Sequence, residues 1–332
     1  MDLRPLRRYL DDLGLAPGGL ALEPIGEGHS NITYLVTCGD ERLVLRRPPL
    51  GRLSRSANDV IREARVLTTL GPTPIAVPRI LAVCEEQDVI GAPFFLAEFV
   101  PGHVLTAALP AGWGRAEARD IGFGLVEALV DLHALDLAAT GLGAFGRPRG
   151  YLERQLGRFG GLLEENATRP LPLLERVADW LAANLPESPP AAFVHGDFRL
   201  GNVILDRAGK LAAVLDWEMA TSGDPLADLG YLTAMWAEPD DEEDPMLELS
   251  RVTRSDDFPS RAELVDRYAE LSGLNVEALP WYQALALWKS AIFLEGSYNR
   301  FLAGDSADPY FAGLGPGVER LAERAWTLCA AA

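Results

Sequence analysis

Residues 195–225 read HGDFRLGNVILDRAGKLAAVLDWEMATSGDP. Two short apolar runs, VIL and LAAVLD, flank the polar DRAGK with its Gly209. Neither run is long enough for a helix, and turn residues bound both, so the span predicts a tight β-hairpin. Such a hairpin puts Asn202 at its open end, roughly opposite Val214, with Asp216 emerging nearby and Asp197 on the loop just before. Three small oxygen-bearing side chains are thereby expected in one place. Asn202 and Asp216 are two hard oxygen ligands of the kind that hold Mg²⁺ together with retained waters and nucleotide phosphates. Asp197 is the candidate to accept a proton from a substrate hydroxyl.

Composition excludes several other classes. The chain has 332 residues, enough for two separate cores, and a net charge of −18, the wrong sign for a nucleic-acid surface. No apolar run approaches the roughly 20 residues that span a bilayer, and MDLRPLRRYLDDLGL lacks the apolar core of a signal peptide. That segment predicts an amphipathic helix with Leu3, Leu6, Leu10 and Leu13 on one stripe. Cys38, Cys84 and Cys329 have neither metal nor disulfide spacing, so a cytoplasmic location is expected. The acidic run EPDDEEDP around Asp240 reads as a solvated loop. Nothing in the sequence specifies an oligomeric state.

The hydrophobic period changes near residue 103. Before it, NITYLVTCGDERLVLRRPP predicts a hairpin turning at Gly39–Asp40, and RILAVCEEQDVIGAPFFLAEFVPG predicts two further strands. SANDVIREARVLTTL predicts a helix with Val60, Ile61, Ala64, Leu67 and Leu70 on its apolar side and Ser54 or Ser56 as N-cap. After it, RAEARDIGFGLVEALVDLHAL and PLPLLERVADWLAANLP are helical, and residues 261–331 hold two or three more helices. The expectation is an α+β chain of two lobes. A small antiparallel-sheet lobe with one main helix spans residues 1–100, a hinge lies at about 98–103, and a larger, mainly helical lobe spans 104–332.

Around the trio, His195 reads as a hydrogen-bonded organiser of the loop. Arg199 either stabilises charge developing in the transition state or is a surface arginine. Glu218 shares a face with Asp216 in an extended chain, Asp224 before Pro225 predicts a capped helix start, and Asp228 is placed to brace the loop from that helix. Upstream, IGEGHSNITYLV sets Gly26 and Gly28 between two strands, where backbone amides, Ser30 and Asn31 are suited to phosphate oxygens.

HGDFRLGN and LDWE together resemble the aminoglycoside phosphotransferase and choline kinase-like superfamily, with its H-G-D-x-x-x-x-N signature and following aspartate. Gly196 stands where protein kinases carry arginine, and DWE where they carry D-F-G. GHSNITY, VLRRPP with IREARVL, LDWEMATSGDPLADLGYL and ALWKSAIFLEGSYNRFLAG extend the likeness over nearly the whole chain. They resemble the branch found with acyl-CoA dehydrogenases. The resemblance implies a two-lobed protein-kinase-like fold, ATP or GTP with Mg²⁺ as cofactors, and phosphorylation of a small hydroxylated acceptor. It implies a cation paired with a helix glutamate, for which Arg46 with Glu63 is the candidate and Arg47 the rival if the strand register slips. It also implies that the backbone from Glu98 to Val100 meets the nucleotide base. The acceptor stays open between an aminoglycoside-like compound and a hydroxyacyl compound whose carboxylate meets Arg300 or Lys289. A nucleotide-binding regulatory role without transfer is the alternative.

Overall fold

The computed structural model describes residues 3–15, 17–26, 31–49, 59–166, 168–242, 244–304 and 309–331. The chain divides into two compact units, one of Met1–Gly102 with Ala212–Met219, the other of His103–Leu211 with Ala220–Ala332.

The first unit opens with α1 (Leu3–Asp12), followed by β1 (Leu20–Ile25), β2 (Ile32–Cys38), β3 (Glu41–Arg47), α2 (Val60–Leu70), β4 (Ile80–Cys84) and β5 (Phe94–Glu98). The five strands form one antiparallel sheet in the order β1-β2-β3-β5-β4. β2 and β3 turn at Gly39, whose φ of 62° and whose approach to Pro17 leave no room for a side chain; a Cβ there would lie 2.6 Å from the Pro17 carbonyl oxygen. The register pairs Val36 with Leu43 and Leu45 with Leu96. By the two-residue period of a strand, these face one side with Cys38 and Phe94, where Leu6 and Leu10 of α1 close a core. Burying each such leucine is worth roughly 1.5–3 kcal/mol. Leu13 falls beyond the end of α1 and is exposed, so the predicted stripe stops one turn early. The cap of α2 is also corrected. Asp59, rather than Ser54 or Ser56 (which lie outside the described residues), accepts the Arg62 amide at 2.9 Å, because it directly precedes the first helical residue.

The second unit contains α3 (Arg115–His133), α4 (Leu137–Thr140), α5 (Tyr151–Asn166), α6 (Pro172–Ala183), β6 (Ala192–Val194) and β7 (Val203–Leu205). After β8 (Leu211–Val214) come β9 (Thr221–Gly223), α7 (Pro225–Met235), α8 (Pro245–Glu248), α9 (Arg261–Ser272), α10 (Leu279–Leu302) and α11 (Leu314–Ala331). The turn after β7 closes as the spacing predicts: the Asp206 carbonyl accepts the Gly209 amide, and the Asp206 amide donates to Lys210. β6 and β9 pair antiparallel. α10 is the central helix of this unit, and its Trp281 and Trp288 are buried with their indole N–H groups on the carbonyls of Leu181 and Leu174. Those partners satisfy the polar end of each ring while its apolar body fills the core.

The acidic run is solvated only in part: Asp240 and Glu242 are exposed as expected, but three of its carboxylates are engaged. Glu238 and Asp241 both pair with Arg261, and Asp244 is buried, caps α8 and pairs with Arg324. Carboxylates that find arginines and helix amides cost less to bury than composition alone suggests. Among the described residues no helix is long and apolar enough to cross a membrane.

Candidate functional site

In the first unit, β3 sends alternate side chains to opposite faces, and this separates its two terminal arginines. Arg47 is buried and donates to the Pro48 carbonyl at 2.9 Å and the Tyr34 hydroxyl at 3.2 Å. Arg46 leaves on the other face and meets Glu63 of α2, with 2.9 Å between Nε and Oε2. The register therefore does not slip. That contact is electrostatic rather than an aligned hydrogen bond, since neither atom completes one. The same guanidinium donates to Asp216 Oδ1 at 2.7 Å and lies 3.6 Å from Glu218 Oε2.

Three carboxylates thus surround one cation. Burial pushes the Glu63 carboxyl up, Arg46 opposes this, and Asp216 and Glu218 add to it. Burial alone would lower Arg46, but its three acidic neighbours outweigh that and raise it. With all three acids ionised the cluster carries two negative charges in excess.

Asp216 is held in a conformation that its residue type rarely adopts. Its φ is 63°, and among the described residues it is the one non-glycine with positive φ. The left-handed region costs a side chain roughly 1–2 kcal/mol. Such strain persists where surroundings over-determine it. Here the next residue, Trp217, is fully buried with its indole on the Val214 carbonyl, while Val214 donates to Ala76 and Arg46 grips the carboxylate. Asn31 is buried and spends one amide N–H on Glu218 Oε2 at 2.9 Å. Gly28 and Ser30 lie outside the described residues. The Glu98 amide is committed to the Arg79 carbonyl at 2.9 Å, which removes it from the donors expected for a nucleotide base; Val100 follows just beyond β5.

In the second unit, the loop from His195 to Asn202 is tied down by its backbone. Asp228, fully buried on α7, accepts the His195 amide at 2.6 Å and the Gly196 amide at 2.8 Å. Gly196 has φ 86°, which glycine tolerates and the arginine of protein kinases would not. Burial works to raise the Asp228 carboxyl, yet His133, His195 and the Gly196 amide outweigh it and hold it below the ordinary range. His133 of α3 lies 3.3 Å from Asp228 through Nε2, and its Nδ1 is 2.8 Å from the Tyr268 hydroxyl of α9. α9 thus supports α3, and α3 supports the carboxylate of α7 that organises the loop. Neither His133 nor Tyr268 was singled out in the sequence.

Within the loop, the Asp197 amide donates to His195 Nδ1 at 3.2 Å. Asn202 sends its amide nitrogen to the Asp197 carbonyl at 2.8 Å and to Asp197 Oδ2 at 2.7 Å. Its side-chain oxygen is therefore the atom left to act as a ligand. Asp197 Oδ1 is buried without a hydrogen-bond partner, with Arg199 Nε 3.6 Å away. Among the described residues, no group of three or more His, Cys, Asp or Glu side chains is arranged to hold a metal. The donors fit instead an ion held by one or two side chains plus phosphate and water, which is the habit of Mg²⁺.

The profile of the phosphotransferase enzyme family (APH) matches residues 21–284. Acyl-CoA dehydrogenase family member 10 of Mus musculus is 32% identical over 330 residues, covering 97% of this chain and 30% of that protein. The chain thus spans about a third of the length of the curated relatives it matches. A provisionally assigned aminoglycoside phosphotransferase from Ralstonia eutropha JMP134 superposes with a TM-score of 0.81 at 27% identity, over 99% of this chain and 98% of that one. A thermostable APH(4)-Ia variant in ternary complex with AMP-PNP and hygromycin B is similar in fold, with a TM-score of 0.62 at 17% identity and 98% of both chains covered. The α+β, protein-kinase-like fold expected from the motifs is the fold observed.

Proposed function

We propose that this chain, which belongs to the phosphotransferase enzyme family, transfers the terminal phosphoryl group of ATP or GTP to a hydroxyl of a small molecule. Asp197 is the base. Its Oδ1 takes the proton as the acceptor oxygen forms a bond to phosphorus and the bond to the leaving nucleoside diphosphate breaks. Asn202 and Asp216 would hold Mg²⁺, which when bound supplies neutralisation of charge on the phosphate oxygens. Arg199 is placed to stabilise the transferring group, Arg46 with Glu63 the remaining phosphates, and His195, Glu218 and Asp228 support the arrangement.

A single observation carries this reading: Asp197 keeps one buried oxygen without a hydrogen-bond partner while Asn202 holds the other. The carboxylate is oriented before any substrate arrives, and such preorganisation is what acid–base catalysis requires. The AMP-PNP held by the APH(4)-Ia variant supports a nucleotide as co-substrate. Asp197→Ala is expected to lower kcat by roughly 10²–10⁴-fold while Mg·ATP still raises the melting temperature. Parental turnover in that variant would remove Asp197 from the role.

A second reading is a nucleotide-binding regulatory module without transfer. It is favoured by Arg46 already gripping Asp216, and by the chain matching only part of its longer relatives. Mg·ATP stabilisation together with no turnover on a broad panel of hydroxyl compounds would select it.

A further inference from the structure

The loop that carries Asp197 contains two glycines, and they are there for different reasons. Gly196 needs its left-handed φ of 86°. Gly201 has no such need. Its φ lies outside the left-handed region, and it sits in the middle of the helical turn Leu200–Asn202, whose two other residues are buried. An alanine could adopt that backbone, and glycine carries an entropic cost on folding that alanine would not. What a side chain at position 201 would meet is specific. A Cβ would overlap Nη1 of Arg199 and lie 3.3 Å from its Cζ, whereas the next atom, the Leu249 carbonyl oxygen, is 3.8 Å away and in ordinary contact range. The Arg199 guanidinium thus occupies the space that a side chain at 201 would fill. The Arg199 side chain is 20% exposed, too little for a freely solvated surface arginine.

We propose that Gly201 is a positioning residue for the transfer: its missing side chain lets the Arg199 guanidinium fold back over the turn and stand beside Asp197 without capturing it. This rests on the kinase reading and adds the residue that aims its arginine. Nε of Arg199 is 3.6 Å from Asp197 Oδ1, too far for a hydrogen bond, so that oxygen stays free to take a proton. An alcohol that donates to Oδ1 brings the phosphoryl group it attacks to the same guanidinium, whose planar fork can bind two of its oxygens. The backbone around position 201 is held too firmly to yield instead. Asn202 binds the Asp197 carbonyl and carboxylate through its side chain, the Asn202 amide donates to the Arg199 carbonyl at 2.9 Å, and Leu200 is fully buried. With a Cβ at 201 it is the guanidinium that moves. It goes onto Asp197 Oδ1 and hydrogen-bonds the atom that must take the proton, or it goes away from the loop and out of reach of the phosphoryl group. Both lower kcat, and neither disturbs the fold.

The test is a double-mutant cycle of Gly201→Ala and Arg199→Ala. Its readouts are the melting temperature with and without Mg·ATP, and nucleoside diphosphate release from Mg·ATP with the best acceptor from a panel of hydroxyl compounds, water included. Gly201→Ala should melt like the parent and keep the shift that Mg·ATP produces. It should lose roughly ten- to a hundredfold in kcat with KM for ATP unchanged, the size of effect that a displaced catalytic group has. Arg199→Ala should lose roughly 10²–10³-fold. Gly201→Ala added to Arg199→Ala should lower kcat no further, because the group it displaces is gone. A kcat for Gly201→Ala equal to the parent's would overturn the proposal. So would an equal loss from Gly201→Ala with and without Arg199, which would place its effect on the loop itself, and so would a large drop in melting temperature. A parent that Mg·ATP does not stabilise, or that releases no diphosphate with any acceptor, would sink the kinase reading and this proposal with it. A parent that does both, beside a fully active Gly201→Ala, would sink this proposal alone.

Discussion

The acidic cluster around Arg46 and the one around Asp228 use the same side chains to opposite ends. Around Asp228, a single buried carboxylate faces two backbone amides and an imidazole, and its carboxyl is held low. Around Arg46, three carboxylates share one guanidinium, the buried Glu63 is pushed up, and Asp216 sits in a strained backbone conformation. The first cluster is a satisfied network and stabilises the fold. The second is short of positive charge and stores unfavourable energy. On the proposed kinase reading, the second kind serves better, because uptake of a divalent cation would relieve what folding left unbalanced.

The sharpest way to break this contrast is at Asp228. Asp228→Ala leaves two buried amides and His133 without their acceptor. Each orphaned group costs roughly 1–3 kcal/mol, so a loss of about 3–5 kcal/mol is expected. Denaturant unfolding of the variant against the parent measures it. Asp228→Asn keeps one oxygen acceptor and should lose visibly less. An Asp228→Ala midpoint equal to the parent's would show that the network is not the stabilising one. Because Asp228 is held low, its contribution is present above the ordinary carboxylate range and is lost as pH falls through its depressed value.

Arg46→Met should cost less, on the order of 2–3 kcal/mol, because Glu63 can escape by taking up a proton. Its cost has a distinctive pH dependence. Removing the cation raises Glu63 further, so the variant should lose stability relative to the parent as pH rises from about 7 to 9, through the parent's raised value of about 8. Melting curves at three pH values check this. A deficit independent of pH would mean that Arg46 contributes packing rather than charge compensation.

The two clusters also differ in how far the sequence exposes them. The Arg46–Glu63 pair follows from local periods, two along β3 and the helical stripe of α2, and the turn at Gly39 fixes the register that separates Arg46 from Arg47. Asp224 followed by Pro225 announces the start of α7 in the same local way. His133 meets Asp228 across 95 residues of chain and Tyr268 meets His133 across 135, on helices whose faces no period aligns. Asn31 finds Glu218 across 187 residues. Tertiary packing decides such contacts, and no spacing rule reaches them. α5 passed without a prediction because Gly157, Gly160 and Gly161 dilute its helical character; its apolar marks at Leu152, Phe159 and Leu163 make sense only once packed.

The smallest expected effect gives the most direct test of the strained cluster. In the parent, Glu63 in the folded chain has a pKa above its unfolded value. The folded state therefore holds more protons over that window, and the stability linked to Glu63 is full below about pH 4.3 and declines as pH rises through the raised value. Glu63→Gln cannot titrate, while Arg46 keeps Asp216 and Glu218 as partners. The difference in stability, variant minus parent, should therefore shift steadily in favour of the variant between about pH 5 and 8.5. Melting temperatures across that range measure it without any substrate. A difference that stays flat would mean that Glu63 is fully ionised beside Arg46 at every pH tested. The Arg46 cluster would then be as well satisfied as the one around Asp228, and its readiness for a cation would need another cause.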